Sequence, residues 1–207
     1  MRLVLLRHAA CDANHARRFL GRATDAALSN EGRARCREVA IAGIAHVFSS
    51  PMRRAIETGQ LVFPGAEVEA VAGLEEFDFG SFEGHTNEEL KDDPAYRSWV
   101  DGWCIGPCPG GEDRAAFDAR TCTALERTLA QGAAIGTSPT IVVCHGGTIM
   151  AGMARWAERP HEGDGYFSWH VPNLGGYALI ATHEDGRLRF ADVTRFSDIR
   201  EVLTWTT

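Results

Sequence analysis

Short apolar runs followed directly by helix-forming stretches constrain the fold of this chain more than any other feature of its sequence. RLVLL (2–6), HVFSS (46–50) and TIVVC (140–144) are too short for buried helices and are typical of strands covered on both faces of a sheet. The stretches that follow the second and third runs, 51–62 and 145–156, are interpreted as helices. Strands that alternate with helices indicate an α/β fold whose mainly parallel sheet is flanked by helices.

Capping residues place two of the helices along the chain. Ser29 can cap a helix that runs to about Ala42. Ser50 can cap the helix of 51–62, where proline at the first position costs no hydrogen bond. A further long helix is predicted from about residue 113 to 131.

Two other segments depart from this alternation. Residues 174–190 are predicted to form two strands joined by a turn at 184–186. The stretch 73–111 holds aromatic and acidic segments that match neither pattern, and we interpret it as a cap-like insertion over the sheet edge. At 207 residues the chain suits a single domain that includes this insertion.

Composition and charge argue against several function classes. The formal net charge is −7, which disfavours nucleic acid or an anionic membrane as the main partner because both require a basic surface. The apolar run at 3–6 is too short for a signal peptide and no run approaches a membrane span, so we expect a cytoplasmic protein. The 6 cysteines are expected to be free thiols without zinc spacing, a disulfide between Cys104 and Cys108 being the alternative.

Histidines follow two of the predicted strands, at the point where each strand ends. The first strand ends in Arg7-His8, and TIVVC is followed by His145-Gly146-Gly147. Ligands of open parallel sheets bind outside the carboxyl ends of the strands, so these histidines face each other if their strands are neighbours. The two glycines would let the backbone approach a ligand, and the next helix directs its N–H groups there.

An arginine pair begins the helix that follows the second strand. Arg53 or Arg54 at a helix N-terminus opposes the helix dipole, which is tolerable where an anion binds, and the other arginine is expected to be solvated. Together with Arg7 and the two histidines, this arrangement suits an anion with tetrahedral oxygens. The sequence contains no G-x-x-x-x-G-K-S/T loop, so it does not predict a P-loop nucleotide site.

Five motifs in this order resemble the histidine phosphatase superfamily, also called the phosphoglycerate-mutase-like family. They are RHAACDAN (7–14), SSPMRRAIETG (49–59), LEEFDFGSFEG (74–84), PGGE (109–112) and VVCHGGTI (142–149). The resemblance implies a phosphoglycerate-mutase-like α/β fold and phosphoryl transfer through a phosphohistidine.

The resemblance also implies a role for each matching residue. His8 matches the histidine that attacks phosphorus, and Glu76 matches the acid that protonates the leaving group. The expected phosphate ligands are Arg7, Asn14, Arg54, His145 and Gly146. Positive arginines beside His8 should keep it neutral, and a backbone carbonyl is expected to fix its tautomer. No cofactor and no metal ion is expected.

The remaining candidates are weighed against these assignments. Glu83 is the second choice for the acid, ahead of Glu75 and Asp78. Surface or core roles are expected for the other histidines that match no motif: His46, His85, His161, His170 and His183. Most of the nearby aromatic residues are expected in the core, with one or two walling the pocket: Phe77, Phe79, Phe82, Trp99 and Trp103.

The chain departs from the family pattern directly after the nucleophile. Ala9, Ala10 and Cys11 stand where the family usually has glycine, then Glu or Gln, then Ser or Thr. The thiol of Cys11 is a poorer donor than a hydroxyl, which bears on efficiency and substrate choice rather than on the type of reaction.

Three functions therefore compete. The leading hypothesis is a phosphomonoesterase that acts on a small phosphorylated metabolite, since EFDFGSFEG is similar to the phosphatase branch that includes α-ribazole phosphatases. A phosphoglycerate-type mutase is the alternative, although Phe77 and Asp78 provide no positive charge for a second phosphate. The third is a catalytically impaired phospho-ligand binder. The expected partner is the small phosphorylated substrate, and the sequence is compatible with a homodimer.

Overall fold

The protein was analysed as a computed structural model that describes residues 1–158 and 165–205. A sheet of six strands lies at its centre, in the order β3-β2-β4-β1-β5-β6. Its strands are β1 (Arg2–Arg7), β2 (His46–Ser49), β3 (Glu67–Ala70), β4 (Thr140–Cys144), β5 (Gly176–Glu184) and β6 (Arg187–Phe196). The pairs β3/β2, β2/β4 and β4/β1 are parallel, and β5 and β6 continue the sheet in antiparallel pairs. The predicted fold class, an α/β fold with a mainly parallel sheet, is confirmed.

Helices cover both faces of this sheet. They are α1 (Asp12–His15), α2 (Asn30–Glu38), α3 (Arg53–Val62), α4 (Asn87–Leu90), α5 (Pro94–Asp101), α6 (Arg114–Ile135) and α7 (Gly146–Trp156). Short 3-10 turns are present at Gly80–Phe82, Tyr166–Trp169 and Ile199–Trp205.

The alternation of side chains along β1 and β4 explains why residues 3–6 of β1 and residues 141–144 of β4 are all apolar. Val4 and Leu6 pack on the face that also buries residues of α2 and α3. Leu3 and Leu5 point to the opposite face, where they join residues of α6 and α7. A strand that is buried on both faces carries apolar side chains at every buried position. The first polar residues after these apolar runs therefore mark the edge of the sheet.

Three helix boundaries differ from the predicted ones. Ser29 caps α2 as expected, with its hydroxyl accepting from Gly32 N at 2.9 Å, but the helix ends at Glu38 rather than near residue 42. Helix α3 begins at Arg53 with Met52 as its cap, so the prediction that Ser50 caps it was wrong. The Ser50 hydroxyl accepts from Met52 N at 3.3 Å, ahead of the helix, and contacts His145 at 2.8 Å. Helix α6 runs on to Ile135, beyond the predicted end.

The edges of the sheet show one predicted and one unpredicted feature. The hairpin β5/β6 is confirmed, and its turn places Asp185 and Gly186 at φ 51° and 75°, the left-handed region that suits such turns. Strand β3 was not predicted, because EVEA at 67–70 is an edge strand without a fully buried side chain. Parallel pairing with β2 holds these residues as a strand, although their sequence pattern does not predict one.

The segment 73–111 adds two short helices, α4 and α5, and no strand to the sheet. Its aromatic residues form a separate cluster with Phe117 of α6 and Ala151 of α7. This cluster, here called the aromatic wall, includes Phe77, Phe82, Tyr96 and Trp99, with Phe19 and Phe79 packed against it. Trp103 is 63 % exposed, so its expected place in the core was wrong.

The cysteines agree with the expectation of free thiols. All six cysteines are free thiols, including Cys104 and Cys108. No helix within residues 1–158 and 165–205 is long and apolar enough to cross a membrane.

Candidate active site

The two histidines that follow β1 and β4 meet at one edge of the sheet. The strands pair in parallel with Arg7 opposite Cys144, which makes the residues after them neighbours. The rings of His8 and His145 lie 5.1 Å apart between centroids, at an interplanar angle of 61°. Both side chains are buried, at 3 % and 0 % exposure. The expectation from the strand ends is therefore confirmed for this pair.

The imidazole of His8 is held as a nucleophile would need to be. Its Nδ1 lies 2.7 Å from the carbonyl oxygen of Ala9, which can only accept, so Nδ1 carries the proton and Nε2 has the free lone pair. Burial lowers the pKa of His8 well below its usual value, and the charges of Arg54 and Arg7 lower it further. The ring of His8 is therefore neutral at neutral pH, with Nε2 unprotonated.

The guanidinium of Arg7 is fixed by the segment before β5. Its Nη1 donates to the carbonyl of Val171 at 2.7 Å and lies 3.1 Å from Nε2 of His170. Its Nε is buried and has no hydrogen-bond partner among the described residues. Burial lowers the pKa of Arg7. One donor of a buried cation is thus left for a ligand.

The same segment also holds the backbone of the Arg7-His8 pair. Asn173 Nδ2 donates to the carbonyl of His8 at 2.9 Å. Leu174 N donates to the carbonyl of Arg7 at 3.1 Å, and Arg7 N donates to the carbonyl of Gly175 at 2.9 Å. The loop entering β5 therefore sets the direction in which both side chains leave the strand.

Arg54 is fully buried and surrounded by carbonyl oxygens. Its Nη1 donates to Thr24 O at 3.0 Å, and its Nη2 contacts Gly21 O at 3.2 Å and Leu20 O at 3.4 Å. Its Nε has no partner in the described chain, as in Arg7. Arg53 instead points outward and pairs with Glu57 at 2.8 Å, so one arginine is buried and the other is solvated, as expected.

His145 completes the polar group at the edge of the sheet. Its Nε2 lies 2.8 Å from the hydroxyl of Ser50, while its buried Nδ1 has no partner among the described residues. Burial lowers the pKa of His145 well below the usual value, with further lowering by Arg54 and His8. Its unpartnered nitrogen is available to an oxygen of a bound ligand.

Glu76 lies at the N-terminus of α7. Its Oε2 accepts from Gly147 N at 3.1 Å, and its Oε1 accepts from Phe77 N at 2.9 Å. A Cβ on Gly147 would lie 2.2 Å from Oε1 of Glu76, so the glycine admits this carboxylate. Arg120 of α6 holds the backbone by donating to Glu76 O at 2.9 Å and to Glu75 O at 3.0 Å.

Glu83, the second choice for the acid, binds the loop that contains Ala23 and Thr24. Its carboxylate accepts from Ala23 N at 3.0 Å and from the hydroxyl of Thr24 at 2.7 Å. Because carbonyls of this same loop contact Arg54, Glu83 supports the loop that surrounds that arginine.

The residues after the nucleophile shape its backbone. Asn14 Oδ1 accepts from Cys11 N at 2.9 Å, which closes the loop after β1 and leaves the phosphate contact of Asn14 a prediction. Burial raises the pKa of the Cys11 thiol to about 11, so it stays neutral. The carbonyl of Ala10 accepts from Ser29 N, and its side chain does not line the cavity described below. A Cβ on Gly146 would be 3.6 Å from Cζ of Arg7, an ordinary contact.

A cavity of about 410 Å³ opens beside Arg7, Glu76 and Gly146. It is larger than a phosphate ion and falls in the range of small-molecule sites. Most of its other lining belongs to the aromatic wall and to the 3-10 turn after α7: Phe19, Phe77, Phe79, Tyr96, Trp99, Phe117, Tyr166 and Phe167.

Three residues near this cavity were missed by sequence reasoning. His170 is exposed, in line with the expected surface role, and it also contacts Arg7 and lines the cavity, which was not expected. Arg114 also lines the cavity, and Arg120 anchors the backbone of Glu76. No periodic pattern in the sequence predicts these residues, because each of them contacts a segment that is distant in sequence rather than a neighbour on its own helix or strand. Of the other unmatched histidines, His46, His85 and His183 lie away from the cavity, and His161 lies outside the described residues.

Comparisons with known proteins agree with this geometry. An acid phosphatase from Mycobacterium tuberculosis is 30 % identical over 131 residues, which are 62 % of this chain and 60 % of that protein. The protein named "Probable phosphoglycerate mutase GpmB" from Serratia proteamaculans is 31 % identical over 175 residues, 77 % of this chain and 79 % of its own length. The matched part thus spans less than two thirds of the acid phosphatase.

Solved structures share the fold over nearly the whole chain. A phosphoglycerate mutase from Thermus thermophilus superposes with a TM-score of 0.67 at 29 % identity, covering 95 % of this chain and 98 % of that one. The α-ribazole phosphatase from Shigella flexneri superposes with a TM-score of 0.73 at 23 % identity, covering 92 % and 94 %, a likeness of fold. Residues 3–193 match the histidine phosphatase superfamily (branch 1), and the chain belongs to that superfamily.

Proposed function

We propose that the protein is a phosphomonoesterase that works through a phosphohistidine on His8 and needs no metal ion. One observation carries this proposal. Arg54 is fully buried and Arg7 is half-buried, the Nε atom of each is buried and unpartnered, and neither arginine forms an ion pair with a carboxylate in the described chain. Buried cations are costly unless an anion or hydrogen-bond acceptors compensate them, so the site suits a phosphoryl group next to a neutral histidine.

The first step transfers the phosphoryl group to His8. Its Nε2 lone pair attacks phosphorus, the bond from phosphorus to the ester oxygen breaks, and Glu76 gives its proton to the leaving oxygen. Arg7, Arg54 and His145 stabilise the charge that spreads over the non-bridging oxygens. The N–H of Gly147 then stabilises the carboxylate that Glu76 becomes, because it already donates to Oε2.

The second step returns the enzyme to its starting state. Glu76 takes a proton from water as the water oxygen attacks phosphorus, and the phosphorus–nitrogen bond to His8 breaks. Inorganic phosphate leaves, and both residues regain their original protonation. The same carboxyl group thus serves as acid and then as base, as the cycle requires.

Hydrolysis rather than phosphate migration is expected from the walls of the cavity. The sequence argument was that Phe77 and Asp78 provide no positive charge for a second phosphate, but Asp78 does not line the cavity. The distribution of cations gives a better argument. Two arginines serve the phosphate beside His8, whereas Arg114 is the cation of the far wall among the described lining residues. A bisphosphate intermediate would be held poorly at its second end.

We therefore expect that, when 3-phosphoglycerate is supplied with a bisphosphoglycerate primer, the enzyme forms free phosphate faster than it forms 2-phosphoglycerate. The measurement follows both products over time by enzymatic assay. Isomerisation that outpaces phosphate release would make the protein a mutase. A protein that binds phosphate but turns over neither this substrate nor p-nitrophenyl phosphate would be the impaired binder.

Metal independence is a separate prediction. Arginines occupy the place where metal ions neutralise charge in other phosphoryl-transfer sites. The described residues contain no group of three His, Cys, Asp or Glu side chains that could hold a metal. Activity after treatment with EDTA and gel filtration should equal that of the untreated enzyme. Loss of activity that a divalent cation restores would contradict the prediction.

A further inference from the structure

The cavity next to Glu76 extends well beyond the space that a phosphoryl group needs. Its lining runs from Arg7 and Glu76 across the aromatic wall to Arg114. In the proposed reaction Glu76 marks the position of the leaving oxygen, so whatever that oxygen belongs to must occupy the remaining space. The residues that line this space therefore indicate which kind of leaving group the substrate carries.

Flat aromatic surfaces form the walls, and their mutual contacts hold them in place. The ring of Phe77 lies 5.3 Å from that of Phe117 and 5.1 Å from that of Phe79, between centroids. Trp99 packs edge-on against Phe79 at 6.2 Å. Tilted and edge-to-face pairs of this kind are favourable arrangements for aromatic rings. A preformed apolar slot gains most from a flat apolar occupant.

The slot is apolar out to its rim. Val100 and Phe167 both line the cavity, and they remain 43 % and 42 % exposed. Large exposed apolar side chains at the mouth of a site suit contact with an apolar ligand. Among the described lining residues, Glu76 is the one carboxylate and Asn87 the one carboxamide, and most of the remaining side chains are apolar or aromatic.

One cation stands in the far wall of the slot. The guanidinium carbon of Arg114 lies 3.5 Å from the ring centroid of Tyr166 and 5.2 Å from that of Phe167. In the described chain the guanidinium makes one hydrogen bond, a long contact of 3.4 Å to Trp103 O, and it forms no ion pair with a carboxylate there. Stacking fixes the plane of the group and leaves its edge N–H donors for a ligand.

The ring that carries Arg114 is itself tied to the catalytic end. The hydroxyl of Tyr166 contacts Gly147 O at 3.4 Å and Asp118 Oδ1 at 3.3 Å. Gly147 in turn donates to Glu76. Tyr166 thus contacts both Gly147, the residue that donates to Glu76, and the guanidinium of Arg114, which lies over the face of its ring.

We propose that this slot is a leaving-group subsite for a flat aromatic group that carries a carboxylate or carbonyl oxygen at its far end, where Arg114 binds it. The proposal rests on the phosphomonoesterase function above and names its substrate class. The phosphoryl group lies at His8, the ester oxygen at Glu76 and the aromatic group between Phe79, Trp99 and Tyr166.

Three alkyl phosphates with similar leaving-group basicity test the subsite: propyl phosphate, 2-phenylethyl phosphate and 2-(4-carboxyphenyl)ethyl phosphate. For the unaltered enzyme, kcat/KM should be about tenfold or more higher for the phenyl compound than for the propyl compound, from burial of the ring. The carboxylated compound should exceed the phenyl compound by a further factor of about five or more, from a charge-assisted hydrogen bond.

Two variants and a matched control assign these preferences to residues. Trp99→Ala should reduce the ratio of phenyl to propyl kcat/KM, whereas Trp103→Ala, at an exposed tryptophan outside the cavity, should leave this ratio unchanged. Arg114→Met should remove the advantage of the carboxylated compound and retain that of the phenyl compound. Circular dichroism of each variant shows whether it is folded.

The outcomes separate the two proposals. Equal kcat/KM for all three phosphates would overturn the subsite while the phosphatase assignment stands. No phosphate release from any of them, nor from p-nitrophenyl phosphate, would overturn the phosphatase function. A carboxylate advantage that survives Arg114→Met would remove Arg114 from the subsite.

Discussion

Replacement of His8 by alanine is expected to abolish phosphoenzyme formation and to lower the rate of phosphate release by about 10⁴-fold or more. The imidazole is the nucleophile of the proposed mechanism, and its Nε2 is the unprotonated nitrogen of a buried ring whose pKa is lowered by burial and by the charges of Arg54 and Arg7. Without it, water would have to attack the ester directly. The remaining Arg7 and Arg54 would still bind phosphate, so the variant should lose turnover rather than affinity.

A rapid acid-free quench with ³²P-labelled substrate measures the first half of this prediction. Label should appear on the unaltered protein in a bond that is labile to acid and stable to base, as a phosphorus–nitrogen bond is. His15→Ala is the matched control, because His15 lies on α1, close in sequence, and contacts Ser29 and Glu31 instead of the site. Label that persists in His8→Ala, or disappears in His15→Ala, would contradict the assignment.

Binding of inorganic phosphate separates loss of chemistry from loss of fold. Isothermal titration should give similar affinities for the unaltered protein and for His8→Ala, since Nε of Arg7 and Nε of Arg54 are the unpartnered donors. A large loss of phosphate affinity would mean that the histidine organises the arginines, and the rate loss would then have another cause.

Replacement of Glu76 by glutamine is expected to slow alkyl phosphates by about 10²–10⁴-fold and p-nitrophenyl phosphate far less. An alkoxide needs a proton to leave, and p-nitrophenolate does not. Glutamine keeps one oxygen that can accept from Gly147 N and loses the acceptor for Phe77 N, so circular dichroism of the variant checks that the fold survives the change. The ratio of the two rate losses is the measurement that identifies a general acid.

Glu83→Gln provides the matched control, with the same chemical change nearby in the chain. The Glu83 carboxylate accepts from Ala23 and Thr24 and does not line the cavity, so its loss should affect both kinds of substrate by a similar, small factor. If Glu83→Gln instead showed the dependence on the leaving group, and Glu76→Gln did not, Glu83 would be the acid.

Several features were predictable from the sequence because they are local. A run such as LVLL or IVVC is buried on both faces of a sheet, so the polar residues that follow it are expected at the sheet edge. That reasoning located His8 and His145, whereas Arg54 was selected over Arg53 only by the resemblance of SSPMRRAIETG to the family motif. The turn at 184–186 and the cap at Ser29 were likewise found, since each depends on neighbours within a few residues.

Other features depend on how distant elements pack, which no local pattern records. Strand β3 exists because β2 offers it an edge, and α3 starts late while the Ser50 hydroxyl contacts His145. The carbonyls around Arg54 come from a loop far from it in sequence.

The residues at the cavity also depend on how distant segments pack together. His170 against Arg7, Arg120 behind Glu76 and Arg114 over Tyr166 are contacts between separate segments. The sequence by itself therefore determined the fold class and the residues at the strand ends, because burial and helix or strand periodicity act over short ranges. Only the tertiary structure decided how those residues are held and what lies beside them, because hydrogen bonds and ring contacts between segments require the assembled fold.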